Sequence, residues 1–359
     1  MMLFSRYLPI SSPLYSMAMV AGLSMAGPGA LPAYGDNPVL VNPAVRLSHP
    51  DAKDQDDMCV WIHPTQPELS LVITSDKSAG LVCSYNLQGD LLQSIPVPKP
   101  GNIDIRQRVL LADRPQDIVV VNQRADGFKL VTFEIELADR RLRRLDNQDL
   151  LTGPNYGGCL YHSADSGKLY FICTSDAGTA EQYELQLNTQ GRLTHKKVRA
   201  WPIGKCEGAV ADDKSAHVYI SEETKGVWRF PADPAKPSSE TELQGTLVAK
   251  VGEHGLKGDV EGLAFVRIGS DPYLIVSDQG LNRYSIYRAQ EPFGFVGSFS
   301  ISGAEQTDGI EVVQANLGPA FPKGLFACHT DRSPRPVLLA EWEKITASFP
   351  SLQSHVPAK

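Results

Sequence analysis

Much that would mark a familiar enzyme class is missing from this 359-residue sequence. Downstream of residue 33 no stretch is apolar for long enough to cross a bilayer as a helix. The six cysteines, at 59, 83, 159, 173, 206 and 328, show none of the close paired spacings of a zinc site. They fall inside apolar strand patterns and read as buried thiols, although 159 and 173 are placed to face each other across a hairpin. There is no glycine loop for nucleotide phosphates, no His-Glu-x-x-His helix and no Gly-x-Ser-x-Gly nucleophile elbow. The eight histidines are scattered, and His162 and His329 read as packing or turn-capping residues. Basic residues number 34 against 41 acidic ones, so the surplus positive charge that nucleic-acid surfaces use is absent.

What is present begins with residues 1–33, which carry one charge, Arg6, and no acid. An apolar run over 14–25 and small residues over 26–33 have the order of a secretory signal, with cleavage expected between 26 and 33. Export to the periplasm or the medium follows as the expectation. The remainder, 42% hydrophobic over the whole chain, is long enough for one large closed domain, expected over 34–349 with a tail at 350–359.

The chain repeats its design. Asp259-Val260-Glu261-Gly262 recurs as Cys206-Glu207-Gly208 and as Thr307-Asp308-Gly309, at steps of about 54 and about 47 residues. The same step backwards meets Tyr156-Gly157-Gly158, Ile103-Asp104-Ile105 and Asp56-Asp57-Met58. Around these points lie short Val-, Ile-, Leu- and Tyr-rich runs broken by Gly, Pro, Asn and Asp, the pattern of antiparallel β structure. Five units hold four such runs and the sixth only three, ending in a short helix over 341–349. A single strand over 39–47, interrupted by Pro43, is expected to supply the missing one. These counts predict an all-β, six-bladed β-propeller of four-stranded sheets, its last blade closed by the start of the chain. The Pro/Ser-rich stretch 231–240 reads as a solvent loop.

In a propeller the first strand of each blade lines the channel, so Asp56, Asp57, Asp104, Glu207, Asp259, Glu261 and Asp308, with Tyr156, are expected at one mouth. Glu222 and Glu223 reach the same place from the fourth blade. Carboxylates so crowded raise one another's pKa unless cations intervene, and hard oxygen donors suit calcium. The other reading open at this point makes each acid-glycine pair blade punctuation facing water. Lys77 and Arg124 occupy matching turns in blades one and two, and cations beside a metal site suit a phosphorylated substrate.

Over residues 51–345 the chain resembles the β-propeller (alkaline) phytases. The resemblance rests on Asp56-Asp57-x-x-x-Trp61, Asn102-Ile103-Asp104-Ile105-Arg106, Tyr156-Gly157-x-x-Leu160-Tyr161-His162-Ser163, Glu181-Gln182-Tyr183-Glu184-Leu185, Lys196-Lys197-Val198-Arg199-Ala200, Glu207-Gly208-x-x-Ala211-Asp212-Asp213, Asp259-Val260-Glu261-Gly262-Leu263, Thr307-Asp308-Gly309-Ile310 and Leu317-Gly318-Pro319-x-x-x-Pro322. It implies a phosphoric monoester hydrolase of the 3-phytase type, acting as a monomer on phytate (inositol hexakisphosphate) in its calcium complex. It further implies several Ca²⁺ ions held by Asp56, Tyr156, Glu207, Glu223, Asp259, Glu261 and Asp308, and substrate phosphates held by Lys77 and Arg124. Glu207, Tyr156 and Asp308 form the implied catalytic set, around a calcium-bound water that attacks phosphorus without a phosphoenzyme. The chain departs from the family at Asp176, where a lysine is common, and at Ser78, where a second lysine is frequent. The thinner cationic side leaves a calcium-stabilised binding module as the alternative, with a propeller lactonase behind it.

Overall fold

The computed structural model describes residues 38–234 and 244–353. The export signal expected over 1–33, residues 235–243 of the expected loop region and residues 354–359 of the expected tail lie outside the described residues.

Two three-residue strands come first, β1 (Val39–Val41) and β2 (Val45–Leu47), and their partners come near the end of the chain. Between them the chain folds into successive antiparallel meanders. The first blade is β3 (Gln55–Trp61), β4 (Leu71–Asp76), β5 (Leu81–Asn86) and β6 (Leu91–Pro96). The second is β7 (Pro100–Leu111), β8 (Arg114–Gln123), β9 (Lys129–Glu136) and β10 (Arg141–Arg144), with the two-residue β11 (Leu150–Leu151) added to β9. The third is β12 (Gly157–His162), β13 (Leu169–Thr174), β14 (Thr179–Leu187) and β15 (Leu193–Pro202). The fourth is β16 (Cys206–Asp212), β17 (His217–Glu222), β18 (Gly226–Pro231) and β19 (Thr246–Lys250). The fifth is β20 (Val260–Ile268), β21 (Asp271–Asp278), β22 (Arg283–Arg288) and β23 (Phe295–Ile301). The sixth is β24 (Ile310–Val313), β25 (Leu325–Cys328) and β26 (Val337–Glu341), followed by α1 (Trp342–Thr346).

The first strands touch in order, β3 to β7, β12, β16, β20 and β24, and β24 returns to β3, so the six sheets close into a propeller. The expected strand over 39–47 divides at Pro43, which lacks the N–H a continuous ladder needs. Its second half, β2, pairs antiparallel with β26 and completes the sixth blade, as expected. Its first half, β1, instead runs parallel to β23 as a fifth strand of blade five, with Val39 opposite Phe299. The start of the chain therefore ties down two blades, covering both sheet edges at the seam.

The strand sequences follow from where the blades bury their faces. Along β3, Met58 and Val60 pack toward blade six while Cys59 and Trp61 pack toward blade two. In β8, Val119 and Val121 face blade one, and Ile118 and Val120 face blade three. Alternate side chains thus enter different inter-blade cores, and a strand buried on both faces reads as a continuous apolar run. Six such clusters separate the six blades, the last also taking in Trp342, Ile345, Phe349 and Leu352.

All six cysteines are free and buried. Cys159 pairs with Ile172 and Cys173 with Gly158, so a one-residue offset sends the two thiols into different inter-blade cores.

Candidate active site at the channel mouth

The acid-glycine repeat is explained by how the inner strands meet. A Cβ on Gly208 would lie 2.2 Å from the Glu261 carbonyl oxygen, one on Gly262 2.2 Å from that of Asp308, and one on Gly309 2.7 Å from that of Asp56. The amides of Gly262 and Gly309 donate to the Asp308 and Asp56 carbonyls, each at 2.9 Å. Any side chain at these glycines would wedge neighbouring blades apart, so glycine here is a condition of ring closure. The same stitches draw the preceding acids together. Asp56, Asp57, Asn102, Glu207, Glu261 and Asp308 line one small cavity at the channel mouth.

Two cations reach into it from the first two blades. Lys77 Nζ lies 2.5 Å from Asp56 Oδ1 and 2.7 Å from Asp308 Oδ2. Arg124 Nη2 lies 3.2 Å from Asp56 Oδ2, its Nη1 3.8 Å from Glu207 Oε1, and its guanidinium 5.0 Å from the centre of the Tyr156 ring. Glu223 Oε2 accepts Lys205 Nζ at 2.8 Å. Asp259 is exposed, at a backbone φ of +62°, close enough to Glu261 to repel it.

The charges are not balanced. Burial pushes the Glu207 carboxyl well above the usual range, and Asp56, Glu261 and Asp308 push it further. Burial does the same to Glu261, helped by Asp308, Glu223 and Asp259. Asp308 is raised to about 6 by burial and by Asp56. Asp56 is the exception: burial works against its charge, but Lys77, Asp308 and Arg124 together hold it below the usual range. Repulsion from Glu207, then burial, lifts the Tyr156 phenol to about 12. Two carboxylate oxygens here, Glu223 Oε1 and Glu261 Oε2, are buried with no hydrogen-bond partner among the described residues.

Two acids expected at the mouth are elsewhere. Asp104 sits two residues deeper on β7, where its carboxylate accepts Arg106 Nη1 at 3.0 Å and the Leu160 amide at 2.8 Å. Arg106 also binds Asp213, and this pair faces the far end of the channel with Glu311. Depth along the strand is the reason: Asn102 and Asp104 share the channel-facing side of β7, about 7 Å apart along it, and the mouth position belongs to Asn102. Glu222 turns away to accept Trp228 Nε1 at 2.8 Å and to pair with Lys225.

Residues outside the expected site complete the surroundings, among them His329, which is packed and hydrogen-bonded to the backbone as the sequence suggested. Gln279 Nε2 donates to Asp308 Oδ1 at 2.6 Å. His329, wholly buried, accepts the Asp308 amide on Nδ1 at 3.1 Å, which leaves the proton of a neutral ring on Nε2, 3.3 Å from Asp54 Oδ1. Asp54, His329 and Asp331 bring potential metal-ligand atoms within 4.8 Å of one another. With Nε2 protonated the imidazole has no lone pair for an ion there, and Arg335 already bridges Asp54 (3.2 Å) and Asp331 (2.8 Å). This cluster braces Asp308 from behind. No local motif announces Lys205, Gln279 or His329 as part of the site, because each is defined by a partner at least one strand away, and the motif that contains Asn102 drew attention to Asp104 instead.

A family model described as phytase matches residues 33–337. Over 289 residues, 76% of this chain and 73% of its counterpart, the sequence is 35% identical to the 3-phytase of Bacillus subtilis (strain 168). Among solved structures, regucalcin, a calcium-binding protein of Agrobacterium tumefaciens str. C58, covers 84% of this chain and 97% of its own at TM-score 0.51 and 11% identity, a likeness of fold alone. Sequence match and propeller architecture agree, and the chain belongs to the phytase family.

Proposed function

We propose that the chain is an exported, monomeric, calcium-dependent phytase of the 3-phytase type that releases orthophosphate from phytate at the channel mouth. The observation that carries this reading is the unbalanced carboxylate cluster: Glu207 and Glu261 buried against their own repulsion, and orphaned oxygens on Glu223 and Glu261. An oxygen-only donor set of this kind fits Ca²⁺, with Asp56, Tyr156, Glu207, Glu223, Asp259, Glu261 and Asp308 as the residues that would hold it. When bound, calcium supplies positive charge that polarises a phosphoryl oxygen and acidifies water.

The protein's own groups do the rest. Lys77 and Arg124 hold substrate phosphates, Arg124 through the planar fork that matches phosphate geometry. The Tyr156 phenol, with the Arg124 guanidinium against its ring, is placed to offer its proton as a hydrogen bond. Glu207, Asp308 and Tyr156 form the catalytic set around the reacting phosphorus. Nearby hydroxyls on Ser221 and Ser277 are spent on the backbone carbonyls of Gly208 and Thr307, at 3.0 and 2.8 Å. That favours direct transfer of the phosphoryl group to water over a covalent phosphoenzyme. Phosphate release from phytate by the purified protein, assayed with Ca²⁺ and after chelation, tests the reading. Activity that survives full chelation would refute it. The second reading, a calcium-stabilised binding module, draws on Asp176, an exposed acid where the family commonly has a cation; phytate binding without release at any calcium level would establish it.

A further inference from the structure

Lys205 lies in the connection from blade three to blade four, across the mouth from Lys77. Three backbone hydrogen bonds pin the segment around it: Ile203 N to Gly178 O at 3.2 Å, Cys206 N to Ser175 O at 3.1 Å and Glu223 N to Lys205 O at 3.1 Å. Its ammonium pairs with Glu223 at 2.8 Å and stands 5.6 Å from the centre of the Tyr156 ring. Arg124 approaches the same ring at 5.0 Å, so one phenol gathers a cation from blade two and another from the connection between blades three and four.

Lys205 differs from the other two cations in what it has left to offer. Lys77 is engaged by Asp56 and Asp308 and is mostly buried, and Arg124 is engaged by Asp56 and Glu207. The Lys205 side chain is 53% exposed and has one carboxylate partner among the described residues. An ammonium has three donors, so Lys205 keeps donors facing solvent while its backbone is held in place. We propose that Lys205 is a third phosphate-binding cation of the mouth, gripping a polyphosphorylated substrate from the side opposite Lys77. This rests on the reading of the mouth as a phytate site and deepens it. A ring ester with phosphates on all sides can engage Lys77 and Lys205 together, whereas a monophosphate engages one flank. Lys205 is therefore a residue of substrate-size specificity. The competing account is a solvated ion pair with Glu223 and no ligand role.

The test uses Lys205→Ala and Lys205→Arg in the full chain with Ca²⁺ present. Lys205→Ala is expected to raise KM for phytate about tenfold while kcat falls less than threefold, with the KM rise for p-nitrophenyl phosphate at least fivefold smaller, and Lys205→Arg to restore most of the phytate KM. Equal losses on both substrates, or an unchanged phytate KM, would overturn the proposal. Binding of myo-inositol hexasulfate, which needs no hydrolysis, separates the two failures. If the wild type releases no phosphate yet binds the hexasulfate, and Lys205→Ala weakens that binding about tenfold, the catalytic reading falls and the Lys205 assignment stands. If the wild type binds no hexasulfate, or Lys205→Ala binds it equally well, the assignment falls.

Discussion

Lys77 Nζ in the first blade sits 2.7 Å from Asp308 Oδ2 in the last, closing with one ammonium the seam where the two ends of the propeller meet. The same ammonium holds Asp56, which is 1% exposed and also receives Arg124. The proposed phosphate-binding cation is therefore also the counter-charge of a buried carboxylate, Asp56, and a partly buried one, Asp308, and its pKa is raised by them against the cost of its own burial.

Replacing Lys77 with methionine keeps most of the packing and removes the charge. Asp56 then faces Asp308 with only Arg124 as a full counter-charge, and breaking a buried pair leaves an uncompensated ion. Allowing for the exposed part of Lys77, Lys77→Met is expected to cost about 2 kcal/mol of stability in chelator. Urea unfolding measures this. An unchanged midpoint would mean that the seam does not depend on the ammonium.

Glu207→Gln separates the catalytic role proposed for this residue from a structural one. Glu207 is repelled by Asp56, Glu261 and Asp308 inside a buried cavity, so removing its charge relieves the calcium-free protein. In chelator the variant is expected to be at least as stable as the parent. With calcium and phytate its kcat is expected to drop by at least about 100-fold, the scale set by loss of a preorganised charged group. A variant that stayed active would remove Glu207 from the catalytic set, and one that unfolded would show its charge to be structural.

Most of the architecture was legible because it repeats. Val60, Ile73 and Val120 sit in runs that alternate between two buried faces, and the acid-glycine pairs at Glu207, Glu261 and Asp308 mark three of the six inner strands at one height. What stayed hidden lies one layer or one strand away from that pattern. Asp104 satisfies the approximate spacing of the repeat but stands two residues further along the same channel-facing side, so its side chain belongs to the deeper layer with Arg106 while Asn102 takes the mouth. The departure of β1 to blade five depends on a parallel pairing with β23, about 260 residues on, which no local signal encodes. Lys205 and His329 gained meaning only from Glu223, Tyr156, Asp308 and Asp54, each brought close by ring closure.

Below the mouth, Glu311 gives a pH signature separate from the carboxylates proposed to hold calcium. Burial, followed by Asp104, raises it to about 8, against about 4.3 for an unfolded chain. The folded state binds the extra proton, so this group's penalty is absent below about pH 4, grows through the interval and is complete above about pH 8. Glu311→Gln is expected to flatten that decline and to add about 2 kcal/mol above pH 8. Denaturant midpoints for parent and variant at pH 5 and pH 9 decide it. A gain equal at both pH values would show that Glu311 does not titrate in the interval.

The exposed acid at Asp176 is the cheapest change on the substrate side. It occupies the turn after β13, whose Ser175 carbonyl binds the Cys206 amide, so it stands next to the Lys205 segment and beside any anion bound there. An acid at that rim repels phosphate, and reversing its sign adds attraction at a site that solvent partly screens. Asp176→Lys is expected to lower the KM for phytate about threefold with kcat little changed, the size of a rim-charge effect. The gain should shrink in 0.5 M salt, where the Debye length falls to about 4 Å and a rim charge no longer reaches the substrate. A gain that persisted in salt would signal a direct contact with substrate phosphate, and no gain at low salt would place Asp176 outside the field of the bound anion.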